Sequence, residues 1–99
     1  MRLTKEQQQI IKQSVKAEFG NEANVWLFGS RVNDARRGGD IDLYIEVNSQ
    51  KLDLLQAELR LYANLIKKLG DQQIDIIVYQ AGMPSKQIHE QAKANGIQL

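Results

Sequence analysis

The sequence predicts an α/β fold, or α+β in stricter usage, in which helices pack on one small mixed β-sheet. Three short runs rich in β-branched and aromatic residues have the composition of strands, and other segments carry apolar residues at helical spacing. The chain of 99 residues is long enough to bury one core and short for two. We therefore expect a single domain over residues 1–99.

Capping signals and side-chain type indicate the first two elements. Thr4 and Gln7 have the spacing of a capping box, and apolar residues then recur at helical intervals. Because Gly20 ends that pattern, the sequence predicts a helix over about Lys5 to Phe19. The run NVWLF, from Asn24 to Phe28, is β-branched and aromatic and precedes a glycine. It predicts a buried strand with its tryptophan in the core.

Two further strands flank a long amphipathic segment. Strict alternation of polar and apolar residues from Ile41 to Val47 predicts a half-buried strand. The run IDIIVY, Ile74 to Tyr79, predicts a third strand, and a short last helix is expected from about Ser85 to Gly96. Between the second and third strands we predict one helix, ended by Gly70, whose apolar stripe faces the core by default. An excess of exposed apolar surface on this stripe would instead mark a docking site for another protein. The stripe consists of Leu52, Leu55, Leu59, Tyr62, Ile66 and Leu69.

Composition excludes several classes of function. The formal net charge of +1, from 13 basic and 12 acidic side chains, gives no strong field to attract nucleic acid or an anionic membrane. The chain has no cysteine and one histidine, which excludes thiolate metal sites and argues against a histidine-based zinc site. No apolar stretch approaches the ~20 residues of a membrane span. We expect a cytoplasmic protein in which oxygen atoms hold any metal.

Two aspartates stand one residue apart where the second strand begins. Asp40 and Asp42 project to the same side, because alternate residues of a strand share a face, and their like charges repel. A divalent cation removes this repulsion. Mg²⁺ characteristically binds through one or two carboxylates and leaves its other positions to water and phosphate oxygens. The pair therefore predicts a site for Mg²⁺ and a polyphosphate.

The loop before the aspartates supplies groups that bind phosphate. Gly29 permits close approach of the backbone, and Ser30 is a good N-cap for a short helical turn whose free N–H groups favour an anion. Arg31 adds a charge-assisted hydrogen bond to a phosphate oxygen, with Arg36 and Arg37 as weaker candidates. The loop thus predicts a triphosphate site beside the aspartates.

A third carboxylate lies on the third strand. Asp75 points away from Ile74 and Ile76, and it joins the aspartate pair if the two strands are neighbours. Three carboxylates with phosphate oxygens can organise two metal ions, and Asp75 is then the natural acceptor of a hydroxyl proton. Tyr44 and Glu46 share the face of the aspartates, and we expect that face to be solvated. Each feature alone has an ordinary explanation as a turn or polar strand face, so the prediction depends on their combination.

The stretch LFGS followed by DIDLYIEV resembles the signature of the polymerase-beta-type nucleotidyltransferases. The small size and the GSR start of the loop are similar to the minimal nucleotidyltransferases, or MNT proteins. This resemblance implies that Asp40 and Asp42 bind both Mg²⁺ ions, that Asp75 completes the site, and that Gly29 and Ser30 hold the triphosphate of ATP.

The resemblance also implies a partner. MNT proteins are similar to antitoxins encoded beside HEPN-type toxin ribonucleases, and members transfer AMP from ATP to a tyrosine hydroxyl of the toxin. We therefore expect a hetero-oligomer of an enzyme with its acceptor protein, without direct binding of nucleic acid. Two alternatives stay open: an antitoxin that neutralises by binding alone, and a nucleotidyltransferase that modifies a small molecule.

Overall fold

The computed structural model describes residues 3–28, 41–48, 53–70, 73–80, 90, 94 and 96–99. Within these residues, no helix has the length and apolar character needed to cross a bilayer. The described residues form, in chain order, the elements α1 (Lys5–Phe19), β1 (Asn24–Phe28), β2 (Ile41–Val47), α2 (Leu54–Leu69), β3 (Ile74–Gln80) and β4 (Ile97–Gln98).

The strands form one mixed sheet in the order β3-β2-β1-β4. β1 lies antiparallel to both β2 and β4, whereas β2 and β3 are parallel and are connected through α2. The predicted fold class and mixed sheet are therefore confirmed. The sequence did not predict β4, because a strand of two residues is too short to show alternation. Most of the predicted last helix lies outside the described residues, although Glu90 and Ala94 are helical.

Side-chain caps set the start of both long helices. The Oγ1 atom of Thr4 accepts a hydrogen bond from the backbone N–H of Gln7 at 3.0 Å, and the Gln7 side chain accepts one from the Thr4 N–H at 3.0 Å. This confirms the predicted capping box. Gly20 ends α1 with a φ of 99°, a conformation that favours glycine. The carboxylate of Asp53 caps α2 by accepting from the Gln56 N–H at 3.2 Å.

The core lies between one face of the sheet and the two helices. The apolar residues of β2 on this face are all at most 1% exposed, which fits the alternation of the sequence. Buried residues of α1 and α2 cover them. The main members of this core are Ile11, Val15, Phe19, Leu27, Ile41, Leu43, Ile45, Val47, Ala57, Leu61 and Leu65.

The prediction that the apolar stripe of α2 faces the core is wrong for three of its six residues. Leu55, Leu59 and Tyr62 are 65%, 59% and 43% exposed. The helix has a second set of apolar residues at i, i+4 and i+8, and that set is completely buried against the sheet and α1. Helical periodicity alone does not select between two apolar stripes on one helix. The buried set is Ala57, Leu61 and Leu65.

The orientation of α2 can be tested by a matched pair of leucine substitutions. Leu61→Ala removes a side chain with 0% exposure and should lower the free energy of unfolding by about 2–5 kcal/mol, because it leaves a cavity in the core. Leu55→Ala changes an exposed leucine of the same helix and should change stability by less than about 0.5 kcal/mol. Urea unfolding followed by circular dichroism measures both. Equal losses would contradict this orientation.

Candidate active site

The parallel pairing of β2 and β3 brings two of the predicted site residues together. Asp42 is the direct register partner of Asp75. Register partners on neighbouring strands project to the same face, and adjacent strands lie about 4.8 Å apart. The structure therefore sets both carboxylates side by side on the sheet face opposite the helices. Asp42 is partly buried on the inner strand, and Asp75 is exposed on the edge strand.

Backbone contacts hold the two strands together at the end that carries the aspartates. The N–H of Ile41 donates a hydrogen bond to the carbonyl oxygen of Gln73 at 2.9 Å, immediately before the first pair of the parallel ladder. On the other side of β2, Asp42 is the register partner of Phe28, the last residue of β1. Asp42 thus lies on a strand that is paired on both sides, and its position is fixed by the sheet.

The other predicted site residues, Gly29, Ser30, Arg31, Asp40, Arg36 and Arg37, lie outside the described residues. Gly29 is bonded to Phe28 and Asp40 is bonded to Ile41, and both anchoring residues lie at the Asp42 end of the sheet. Phe28 and Ile41, the two described residues that flank the predicted phosphate-binding loop in the sequence, therefore lie beside Asp42.

The described donor atoms fit a hard divalent cation. Asp42 and Asp75 supply carboxylate oxygens from adjacent strands, and Mg²⁺ uses one or two such carboxylates. Across the part of the chain that the structure describes, there is no cluster of three or more histidine, cysteine or acidic side chains. Asp40, the third predicted carboxylate, precedes β2 by one peptide bond and is not among those residues. Two carboxylates among the described residues therefore have the chemistry of ligands for such a cation.

Part of the sheet face that carries the aspartates is shielded from water, contrary to the sequence-based expectation of a solvated face. Tyr44 is 1% exposed, and its ring contacts that of Trp26 with centroids 5.4 Å apart. The cause is its position on an inner strand, between Trp26 of β1 and Ile77 of β3 in the register. Trp26 is partly buried on this face and does not belong to the core between sheet and helices. The ring of Trp26 on a neighbouring strand therefore helps to shield Tyr44 from water.

Burial and a neighbouring carboxylate both stabilise the neutral phenol of Tyr44. Its hydroxyl donates a hydrogen bond to Oε2 of Glu46 at 2.9 Å. Desolvation by burial, followed by this bond and the negative charge of Glu46, raises the pKa of Tyr44 well above its ordinary value of 10.0. Tyr44 therefore acts as a neutral hydrogen-bond donor in the packed centre of this face.

A groove at the edge of the sheet is a feature that sequence reasoning missed. It lies between α2 and β3, has a volume of about 200 Å³, and is lined by Glu58, Leu59, Tyr62, Ile74, Asp75 and Ile76. Its walls include two of the apolar residues that were predicted to lie in the core. The sequence signal was present, because α2 carries more large apolar residues than one buried stripe requires.

The role of Tyr44 predicts how stability depends on pH. Because the folded pKa is raised, the unfolded chain loses this proton first, so the contribution of Tyr44 is complete below pH 10.0 and is lost as pH rises above it. Tyr44→Phe should cost about 1 kcal/mol at neutral pH by removing the bond to Glu46. The difference between parent and variant should then shrink as pH rises above 10.0.

Denaturant unfolding at several pH values measures this effect. Tyr62→Phe, which changes an exposed tyrosine of α2, is the control and should alter stability at neutral pH by less than about 0.5 kcal/mol. A parent and a Tyr44→Phe variant that lose stability in parallel above pH 10.0 would show that Tyr44 does not carry the effect.

Comparison with known proteins adds one finding to this geometry. The family model described as polymerase beta, nucleotidyltransferase matches residues 5–99. A search of curated proteins finds no match. The matched range includes both helices, the whole sheet and the paired Asp42 and Asp75. The match supports a general capacity for nucleotidyl transfer, and the chain belongs to the polymerase-beta-type nucleotidyltransferase family.

Proposed function

We propose that this protein is a Mg²⁺-dependent protein adenylyltransferase that moves AMP from ATP to a tyrosine hydroxyl of a HEPN-type toxin and thereby acts as its antitoxin. The observation that carries the proposal is the register pair of Asp42 and Asp75, two carboxylates on one face of a nucleotidyltransferase-family sheet. Such a pair serves a reaction in which a cation and an attacking hydroxyl are brought to one phosphorus atom.

The proposed residues divide the work of binding ATP. Asp40, Asp42 and Asp75 hold the Mg²⁺ ions, which supply charge neutralisation for the triphosphate when bound. Gly29 and Ser30 bind phosphate oxygens through backbone N–H groups and the serine hydroxyl, and Arg31 adds a charged donor. The positions of Phe28 and Ile41, which flank this loop in the sequence and lie beside Asp42, support the assignment.

In the proposed reaction, the acceptor hydroxyl oxygen forms a bond to the α-phosphorus of ATP. The bond between that phosphorus and the oxygen bridging to the β-phosphate breaks, and pyrophosphate leaves with its electron pair. The hydroxyl proton moves to the carboxylate of Asp75, which is exposed at the sheet edge and accessible to an acceptor. Asp42, which is partly buried and paired on both sides, holds its place while the substrates align.

The acceptor belongs to a second protein in this proposal. The similarity to MNT proteins suggests a HEPN-type toxin encoded nearby, and the two chains then form a hetero-oligomer in the cytoplasm. The exposed apolar residues of α2 support an association with another protein, because monomeric proteins rarely leave several large apolar side chains together in solvent. Transfer of AMP to a residue of the toxin then links the binding of the two proteins to inactivation of the toxin.

Substitution of either carboxylate tests the proposal. Asp42→Asn and Asp75→Asn should each reduce transfer of label from α-phosphate-labelled ATP to the toxin by at least about 100-fold, because each removes a charged oxygen donor or the proton acceptor. The matched control is Asp53→Asn, which makes the same chemical change at the N-cap of α2, where asparagine caps as well as aspartate. Gel autoradiography and release of pyrophosphate measure the transfer.

The same variants separate catalysis from binding. If Asp42→Asn abolishes labelling and also abolishes protection of cells from the toxin, AMP transfer is the neutralising event. Full protection by a variant that labels nothing would instead establish an antitoxin that acts by binding alone. Labelling of a small hydroxyl compound in preference to the toxin would identify the third class, a small-molecule nucleotidyltransferase.

A further inference from the structure

The groove between α2 and β3 combines one proposed site residue with exposed apolar side chains. Asp75 lines it together with Leu59 and Tyr62, which are 59% and 43% exposed. Ile74 and Ile76 lie on the helix side of β3, whereas Asp75 projects to the opposite face. Because β3 is at the end of the described strand order, the groove lies at the edge of the described sheet, with Asp75 among its lining residues.

The volume of the groove favours an occupant smaller than a nucleotide. Sites that enclose drug-sized ligands have volumes of roughly 300–1,000 Å³. The groove measures about 200 Å³ and therefore fits one amino-acid side chain better than a nucleoside triphosphate.

We propose that this groove binds the tyrosine side chain that receives AMP, with Leu59 and Tyr62 as residues that determine acceptor specificity. The inference rests on the proposed function and identifies where its acceptor lies. The phenol ring covers Leu59 and packs against the ring of Tyr62, and its hydroxyl reaches the edge where Asp75 accepts the proton. Aromatic pairs of this kind contribute beyond simple burial of area.

The walls select tyrosine from the side chains that carry a hydroxyl. Serine and threonine are too small to cover Leu59 and Tyr62 while a hydroxyl extends to Asp75. A tyrosine presents a large apolar body and one polar tip, which matches two apolar walls with carboxylates near them. Phenylalanine has the same apolar ring but no hydroxyl group, so it offers no hydrogen-bond donor to the carboxylates.

Binding of a small phenol to the full chain tests the inference without requiring catalysis. N-acetyltyrosinamide is titrated, in the presence of Mg²⁺ and a non-hydrolysable ATP analogue, while methyl NMR signals of Leu59, Ile74 and Ile76 are followed. We expect saturable shifts of these signals with a dissociation constant in the millimolar range. N-acetylphenylalaninamide and N-acetylserinamide should bind more weakly.

A matched pair of leucines of α2 supplies the control. Leu59→Ser should weaken binding of N-acetyltyrosinamide about fivefold or more, since it removes apolar surface from the groove wall. Leu55→Ser makes the same change at a leucine that is 65% exposed and does not line the groove, and it should leave binding unchanged. In transfer assays with the toxin, Leu59→Ser should raise the KM for the toxin and leave the KM for ATP unchanged.

Three results would overturn the inference. The first is that N-acetyltyrosinamide shifts none of the methyl signals of Leu59, Ile74 and Ile76. The second is that the Leu55→Ser and Leu59→Ser variants bind it equally well. The third is that the methyl signals shift with protein concentration when no phenol has been added. The last result would assign the groove to a second copy of the chain. Binding of the ATP analogue is measured in the same samples and reports separately on the proposed nucleotide site. If the protein binds N-acetyltyrosinamide but does not bind the ATP analogue, the proposed function is refuted and the inference about the groove is not.

Discussion

The backbone hydrogen bonds between β2 and β3 hold Asp42 beside Asp75, and the rest of the site depends on that register. A shift of β3 by one residue would turn Asp75 toward the helices and Ile74 toward solvent, because side chains alternate between faces. Burial of the apolar residues of β3 on the helix side opposes this shift. Ile74 is 5% exposed, and Ile76 and Val78 pack against the core. The packing that stabilises the fold therefore also sets the spacing of the two carboxylates.

Local sequence signals predicted most of the described fold. The capping box of Thr4 and Gln7, the glycine after α1 and the alternation of β2 are short-range patterns, and each appears in the structure at the predicted position. The pairing of Asp42 with Asp75 required one step more, since a sequence does not state which strands are neighbours. Helix α2 between β2 and β3 supplies that information through the parallel crossover that it forms.

The features that sequence missed all depend on which neighbour covers a residue. Both apolar stripes of α2 have helical periodicity, and only packing against α1 and the sheet buries Leu61 and leaves Leu59 in solvent. Tyr44 follows the polar phase of β2, yet Trp26 and Ile77 on the adjacent strands enclose it. The two residues of β4 form a strand only because β1 has an edge to which they pair. These are tertiary effects, and no pattern within one segment encodes them.

The contact between Trp26 and Tyr44 has a practical consequence. Trp26 is the one tryptophan of the sequence, so the indole fluorescence of the protein arises from a single ring. That ring is partly buried on the same sheet face as Asp42, two register positions from it along β2. Its emission wavelength and its quenching by solutes thus give an intrinsic optical record of solvent access to this face, without a label attached to the chain.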